Sequence, residues 1–469
     1  MNSLAQAFSF DRLKHPLISV GFLTLTFAAV ALKDGPLPKF ILIAGTLAWG
    51  IFLFISALSR PEIALFSLTA YLPFSKQFPG DFGPFSAWIN LTNLFILFVI
   101  FFCWLQNRKK GEALWISSPL NLPIFLFSGV AVVSILQGVL YGFGFMASTA
   151  AELMRRWLTP FLLYFLILNV ASDRKTIRNL ALIIMSVAVL VSLMALYDYL
   201  AEDDRIGGIA NDPNLLAAFF NYYMFLPLGF FLCNLDRLKY WSALIPFLIF
   251  FRGIMVTFSR GGYFAFVCGL YAVTFFKNKL LFLLLLILSC LVFVNPTLLP
   301  RGIQYRLNQT FVKEPVSADQ QNWEQVLDKS SRDRIRIWRG ALQMIHEHPV
   351  TGIGFNLFQP KIQHYWSGTG PMDAHNTYLL IAAEMGIPAL MVFLWMIWIV
   401  FWNTRLLYVA SSDLFARGLA LGFLGGIFSF FASNLYVNDL NSPEISSYFW
   451  ILAALVMKLR ILDAKERGT

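Results

Sequence analysis

The chain has 469 residues, 58% of them hydrophobic and only 13% charged, with a formal net charge of +10. Soluble domains carry about a quarter of their residues charged, so this composition excludes a soluble globular protein and indicates an integral membrane protein. Nor does the positive charge point to nucleic acid, because Lys and Arg enriched in cytoplasmic loops account for it.

A membrane-spanning helix needs about 20 apolar residues. Arg12 and Lys14 precede the first apolar run, Leu17 to Leu32, which Lys33 and Asp34 close. With no small-residue cleavage site, that run reads as a first span rather than a removable leader. Further runs follow near 39–58, 62–74, 88–105, 121–141, 157–171, 178–200, 214–233, 241–258, 262–276, 279–294, 376–401, 413–434 and 445–461. Four of these are short enough for two to be re-entrant or interfacial. The expected fold is therefore an all-α polytopic membrane protein with 12–14 transmembrane helices. Cys103, Cys233, Cys268 and Cys290 are scattered through apolar runs and read as small buried hydrophobes, neither disulfides nor metal ligands.

Alternating the runs from a cytoplasmic N-terminus tests the topology. Of the 36 Lys and Arg, nineteen then fall inside, eight in short outside loops and the rest in one long loop. That asymmetry puts both termini in the cytoplasm. It places the long loop outside, in the periplasm of a bacterial inner membrane. Three parts are expected: a transmembrane bundle over 1–294, a loop or lid domain over 295–375, and C-terminal spans over 376–469.

Within the loop, Ile335, Trp338, Leu342 and Ile345 recur at helical spacing and form an apolar stripe. Arg332, Arg336 and Arg339 project away from it as solvated charges, whereas Arg334 falls within its arc and needs an anionic partner. His348-Pro-Val-Thr-Gly-Ile-Gly-Phe355 follows and, taken alone, is a turn. Asp373-Ala-His-Asn376 then leads into the next span, where His375 at the outer end can titrate and still reach an aqueous cleft. Glu384 lies roughly 13 Å deeper and off that face, so it points into the bundle and pairs there. Arg205 and Arg260 sit at other outward span ends, the latter in Ser259-Arg-Gly-Gly262. Arginine's planar fork matches a phosphate or pyrophosphate, and its charge is permanent.

Taken in order, Arg205…Asn211-Asp-Pro-Asn214, Ser259-Arg-Gly-Gly262, Asp333-Arg334…Trp338…His348-Pro…Gly352-Ile-Gly354 and His375-Asn-Thr-Tyr378…Glu384-Met-Gly386 resemble the O-antigen ligase/Wzy-type polymerase superfamily. The resemblance covers roughly residues 200 to 390. It implies a bacterial inner-membrane glycosyltransferase of the membrane-embedded C type (GT-C), without nucleotide sugar, metal or other cofactor. Such an enzyme moves a glycan from undecaprenyl pyrophosphate to a hydroxyl of lipid A–core, or of another lipid-linked repeat, among membrane lipids. His375 resembles the family histidine that activates the acceptor hydroxyl. Arg205 and Arg334 resemble the arginines that hold the pyrophosphate, with Arg260 beside them. Asn214, Asn376 and Tyr378 in the same segments are expected to bind substrate. Two features depart from the family: Asp212 stands where Asn is frequent, and fourteen runs exceed the usual twelve spans. The polymerase motif, an arginine with glycine eleven positions on, is absent at Arg155, Arg205, Arg260 and Arg334, which favours a ligase over a polymerase. The competing expectation is a transporter, which would need broken or charged helices at the midplane and inverted repeats. Only Glu384 and Asp198 point that way.

Overall fold

The computed structural model describes residues 60–77, 91–110, 115–140, 147–202, 205–299, 327–366 and 371–468, with a few isolated positions besides. The expected run 17–32 and nearly all of 39–58 lie outside these residues. Every expected run from 62–74 onward is helical, and the described residues contain no strand. The helices are α1 (Pro61–Tyr71), α2 (Leu91–Lys110), α3 (Asn121–Gly138), α4 (Ala147–Leu153), α5 (Thr159–Val170), α6 (Arg174–Glu202), α7 (Pro213–Tyr223), α8 (Phe225–Cys233), α9 (Leu244–Thr257), α10 (Arg260–Lys277), α11 (Lys279–Val294), α12 (Lys329–Glu347), α13 (Phe358–Tyr365), α14 (Thr377–Ala410), α15 (Leu414–Ser433) and α16 (Pro443–Gly468). Among the described residues, eight helical segments are long and apolar enough to cross a membrane: 121–138, 148–170, 174–201, 213–233, 238–257, 377–410, 414–433 and 443–467. The protein is thus an all-α, multi-pass membrane protein. Cys103 is buried as expected, but Cys290 is exposed on the uniformly apolar α11.

The chain divides into two compact units. The first combines residues 1–117, 159–190 and 446–469. Among its polar contacts are two that tie α16 to α5 and α6. Arg174 pairs with Asp463 at 2.6 Å and Glu466 at 2.7 Å. The buried Lys458 donates to the Leu168 carbonyl at 3.1 Å, which supplies the partner that a buried ammonium requires.

The second unit combines residues 118–158 and 191–445. Helices α8 and α15 pack nearly backbone to backbone. A Cβ at Gly422 would collide with the Phe225 carbonyl, and one at Gly229 with that of Gly418. Where lipid is as apolar as the side chains, such close approach supplies the dispersion contacts that hold helices together.

Helix α14 is broken at Gly386, whose φ of 87° and ψ of 166° suit glycine alone. The rings of Tyr378 and Phe393 lie 6.3 Å apart. A straight helix would separate them by about 22 Å of rise, so the two halves bend sharply against each other. The cause is local. The Glu384 carbonyl would bond the amide four residues on, but that residue is Pro388, which has none. The freed groups are satisfied by the loop that the sequence shows only as a turn. Ile353 N donates to Ala383 O at 2.8 Å, Gly354 N to Glu384 O at 3.1 Å, and Ile387 N to Pro349 O at 2.8 Å. Ser134 Oγ adds a bond to Glu384 O at 2.8 Å. Backbone away from water has to be paired, so residues 349–354 and the break in α14 complete each other. A Cβ at Gly386 would strike the Val350 carbonyl, and one at Gly352 the Glu384 backbone. Gly386→Ala should therefore destabilise the protein by about 3 kcal/mol or more, read as a fall in detergent unfolding temperature and folded yield.

Glu384 points into the unit, as expected from its depth. It is 3% exposed and faces the Arg156 guanidinium at 3.7 Å, and its Oε1 accepts from Phe358 N at 3.2 Å. Arg156 sits in a π-helical turn, Met154–Leu158, and also holds Glu152 at 2.7 Å and Asn356 at 2.9 Å. The segments around Asn356 and Glu384 thus meet on one largely buried arginine. The charge count treats that arginine as an ordinary outer-loop cation.

Candidate active site

Two helix starts form the floor of the site. Asp212 caps α7, its Oδ1 accepting from Asn214 N at 2.6 Å and Leu215 N at 3.1 Å, with Pro213 at the first helical position. This double duty suits a carboxylate at the position where the family often carries Asn. Helix α9 ends in a left-handed residue, Phe258, and Ser259 caps α10 by accepting from Gly262 N. The caps are cross-linked: Ser259 Oγ donates to Asn214 Oδ1 at 2.8 Å. Arg205 binds both sides, with Nε donating to Thr257 O at 2.8 Å and Nη2 to Asn214 Oδ1 at 3.1 Å. Arg205 and Asn214 therefore brace this floor.

Helix α12 is tied to the start of α10 through its cap. Asp328 caps it by accepting from Ser331 N and pairs with Arg260 at 2.8 Å. Burial would push the Asp328 carboxyl up, but its bonds from Ser331 and Arg260 hold it below the usual carboxylate range. The charge of Arg260 is thereby matched within the protein. The buried face of α12 is Ile337, Gly340, Ala341 and Met344, while Leu342, expected in the apolar stripe, is 57% exposed. The spacing of large residues misplaces the stripe because small ones make the closest contact: a Cβ at Gly340 would come within 2.8 Å of Ile362 on α13. The corrected face extends back toward Arg334 at helical spacing, but Arg332, Arg334 and Arg336 are all partly exposed, so of the three arginines expected to be solvated only Arg339 is fully so. Arg336, expected to be solvated, instead has its guanidinium 5.7 Å from the Trp366 ring centre.

Among the described residues, no hydrogen bond or ion pair reaches the Arg334 guanidinium. Burial, and then the Arg260 charge, lower its affinity for its proton; Asp212, Asp328 and Tyr436 act the other way. Arginine keeps its charge regardless. The result is a half-buried cation next to a second cation, with only distant compensation.

His375 is within electrostatic reach of this cation. Burial lowers its imidazole below the ordinary histidine value, Asp373 raises it, Arg334 lowers it and Asp212 raises it. Three charged groups thus act on the ring. The residue is in the left-handed region, at φ 46°, a conformation that persists only where neighbours enforce it. Trp338 Nε1 donates to the Ala374 carbonyl at 3.1 Å, and Asn376 caps α14 by accepting from Leu379 N at 3.0 Å. The turn after α15 supports it from below. Asn434 O accepts from Thr377 N at 2.9 Å, Leu435 O from Asn376 Nδ2 at 3.2 Å, and Asn438 Nδ2 donates to Asp373 at 3.1 Å. Thr377 Oγ1 also bonds the Asn434 side chain. Tyr436, on the same turn, stands 6.4 Å from the Trp338 ring.

Hydrogen bonds join Arg205 and Asn214 at the α7 and α10 caps, Arg260 pairs with Asp328 of α12, and His375 and Arg334 act on one another electrostatically. Asn376 is committed to capping. The Tyr378 hydroxyl donates to the Phe431 carbonyl at 2.8 Å, anchoring α14 to α15. Below that anchor, Leu394, Trp398 and Phe401 of α14 and Ile427, Phe428 and Phe431 of α15 line an open groove of ≈ 290 Å³, with no polar surface. Tyr436 and Asn438 are site neighbours that the sequence does not single out, because spacing alone does not bring the α15–α16 turn to the histidine.

Residues 245–394 match the family model described as O-antigen ligase. A comparison with curated proteins finds no significant match. The matched segment contains Ser259, Arg260, Arg334, His375 and Glu384 but neither Arg205 nor Asn214, which join the site through the α9–α10 junction. The match covers less than half of the chain; over that segment the chain is similar to the O-antigen ligase/Wzy-type family of membrane glycosyltransferases.

Proposed function

We propose that the protein is a ligase. It transfers a glycan from undecaprenyl pyrophosphate to a sugar hydroxyl of lipid A–core at the periplasmic face of a bacterial inner membrane, with both termini cytoplasmic. The observation that carries this reading is Arg334: a partly buried guanidinium beside His375 that no described residue pairs. A cation so placed invites a polyanion, and a pyrophosphate supplies one. The apolar groove under Tyr378 suits a polyprenyl chain. The break in α14 supports an enzyme over a transporter. Transporters use such discontinuities to coordinate solutes, whereas here the chain's own loop occupies those backbone groups.

In the proposed reaction the acceptor oxygen attacks the anomeric carbon from the face opposite the pyrophosphate. The new carbon–oxygen bond forms as the carbon–oxygen bond to pyrophosphate breaks, and the configuration inverts. The acceptor proton passes to neutral His375. The departing pyrophosphate gains one negative charge, which Arg334 stabilises with Arg205 alongside, in a site already oriented for it. No metal or cofactor enters the scheme.

Polymerisation of lipid-linked repeats is the second reading, disfavoured by the missing arginine–glycine motif. A strain lacking the protein, analysed for lipid-linked and lipid A-linked glycans, separates the two. Full-length polymer held on undecaprenyl pyrophosphate, with none on lipid A, is the expected result. Accumulated single repeats would mean a polymerase. Unchanged glycans of both kinds would overturn the proposal.

A further inference from the structure

We infer that Asp373 is the positioning residue of His375: one carboxylate both fixes the left-handed turn that presents the imidazole and opposes the cation beside it. The inference deepens the proposed function and rests on it for the role of His375. Asp373 Oδ2 accepts from the amide of the left-handed residue itself, His375 N, at 3.4 Å. Its Oδ1 is tied at 3.1 Å to Asn438 on the α15–α16 turn. The carboxylate is therefore a rivet between that turn and the histidine.

Charge makes the second half of the argument. Three charged groups act on the imidazole: Asp373 from its own turn, Arg334 from α12 and Asp212 from the α7 cap. The Arg260–Asp328 pair lies behind Arg334. Arg334 opposes protonation of the ring, yet a base must accept a proton as the acceptor attacks. Of the two acids, Asp212 has one oxygen held by two backbone amides. Asp373 shares the histidine's own turn and follows it wherever the turn moves. A site that needs a permanent cation for the leaving group and a competent base next to it therefore needs this acid as well.

The test uses the full-length chain in nanodiscs with ring-labelled histidine, the His375 signal being assigned by its loss in H375Q. In D373N the acid shape remains and the charge is gone. The His375 titration midpoint should fall, the acid limb of the transfer rate should move to lower pH, and transfer near neutral pH should drop about tenfold, a fraction of what general base catalysis contributes. D373E, which keeps the charge on a longer arm, should restore the midpoint more than the rate. If D373N does not fold, N438A loosens the same rivet and should lower the rate and shift the midpoint in the same direction. A His375 midpoint unchanged in these variants would overturn the inference. The magnetic resonance readout does not depend on transfer, so wild-type protein with the expected titration but no ligase activity would instead reject the proposed function.

Discussion

Alanine at His375 should lower glycan transfer by about 10²–10⁴-fold, the usual contribution of a positioned proton acceptor, with little change in donor binding. The argument is geometric. The ring stands at the N-terminal end of α14, on a turn held by Trp338, Asn376, Asp373 and the 434–438 segment, within electrostatic reach of the arginine proposed to hold the leaving group. The wild-type pH profile gives a companion result. Only the neutral imidazole accepts a proton, so the rate falls once acid protonates it. Burial lowers the ring's affinity for protons, and the acid limb should therefore lie below the value of an ordinary histidine. Single-turnover transfer in reconstituted vesicles, with folded yield measured in parallel, checks both. Retained transfer in H375A would remove the histidine from the mechanism.

Arg334→Ala should cost roughly 10²–10³-fold in transfer, the scale for deleting one preorganised donor to developing charge. Arg334→Lys should recover only part of it, since a lysine meets a pyrophosphate as a point charge without the planar fork. The contrast with Arg339 is the informative control. Arg339 is on the exposed side of the same helix, and its replacement should change transfer less than twofold. Two further differences separate R334A from H375A: the first should weaken donor binding as well as turnover, and it should shift the acid limb upward, because a cation next to the imidazole is gone. Comparable losses at Arg334 and Arg339 would point to a diffuse surface attraction rather than a built site.

Much of this was readable from the amino-acid order, because spans, charge asymmetry and helix periodicity are local properties. The alternation of apolar runs gives the helices, and the arc of α12 turns Arg334 inward. Where the reading of α12 slipped, it did so for a packing reason: Gly340 and Ala341, too small to register as a stripe, make the close contact, and the bulky Leu342 faces out. The contacts that hold the site were not readable, because each joins residues far apart in sequence. Glu384 was expected to pair in the bundle, but nothing near it names Arg156. The segment from His348 to Phe355 looked like a turn because its partners, the carbonyls of Ala383 and Glu384, are unsatisfied only once Gly386 and Pro388 have interrupted α14. Likewise Asn434 and Asn438 resemble ordinary helix-end polar residues until the fold sets them under His375.

The mutual completion of α14 and residues 349–354 bears on how this protein can be taken apart. A stretch whose amides are matched by carbonyls inside a span is no detachable module. Excised and expressed alone, the segment from α12 to α13 would present Ile353 and Gly354 amides and a Pro349 carbonyl with nothing to receive them. Equally, the span without it would carry open backbone groups into lipid. The two must therefore be acquired together during biogenesis, so that an apparently extramembrane excursion is, in energetic terms, the last piece of a helix.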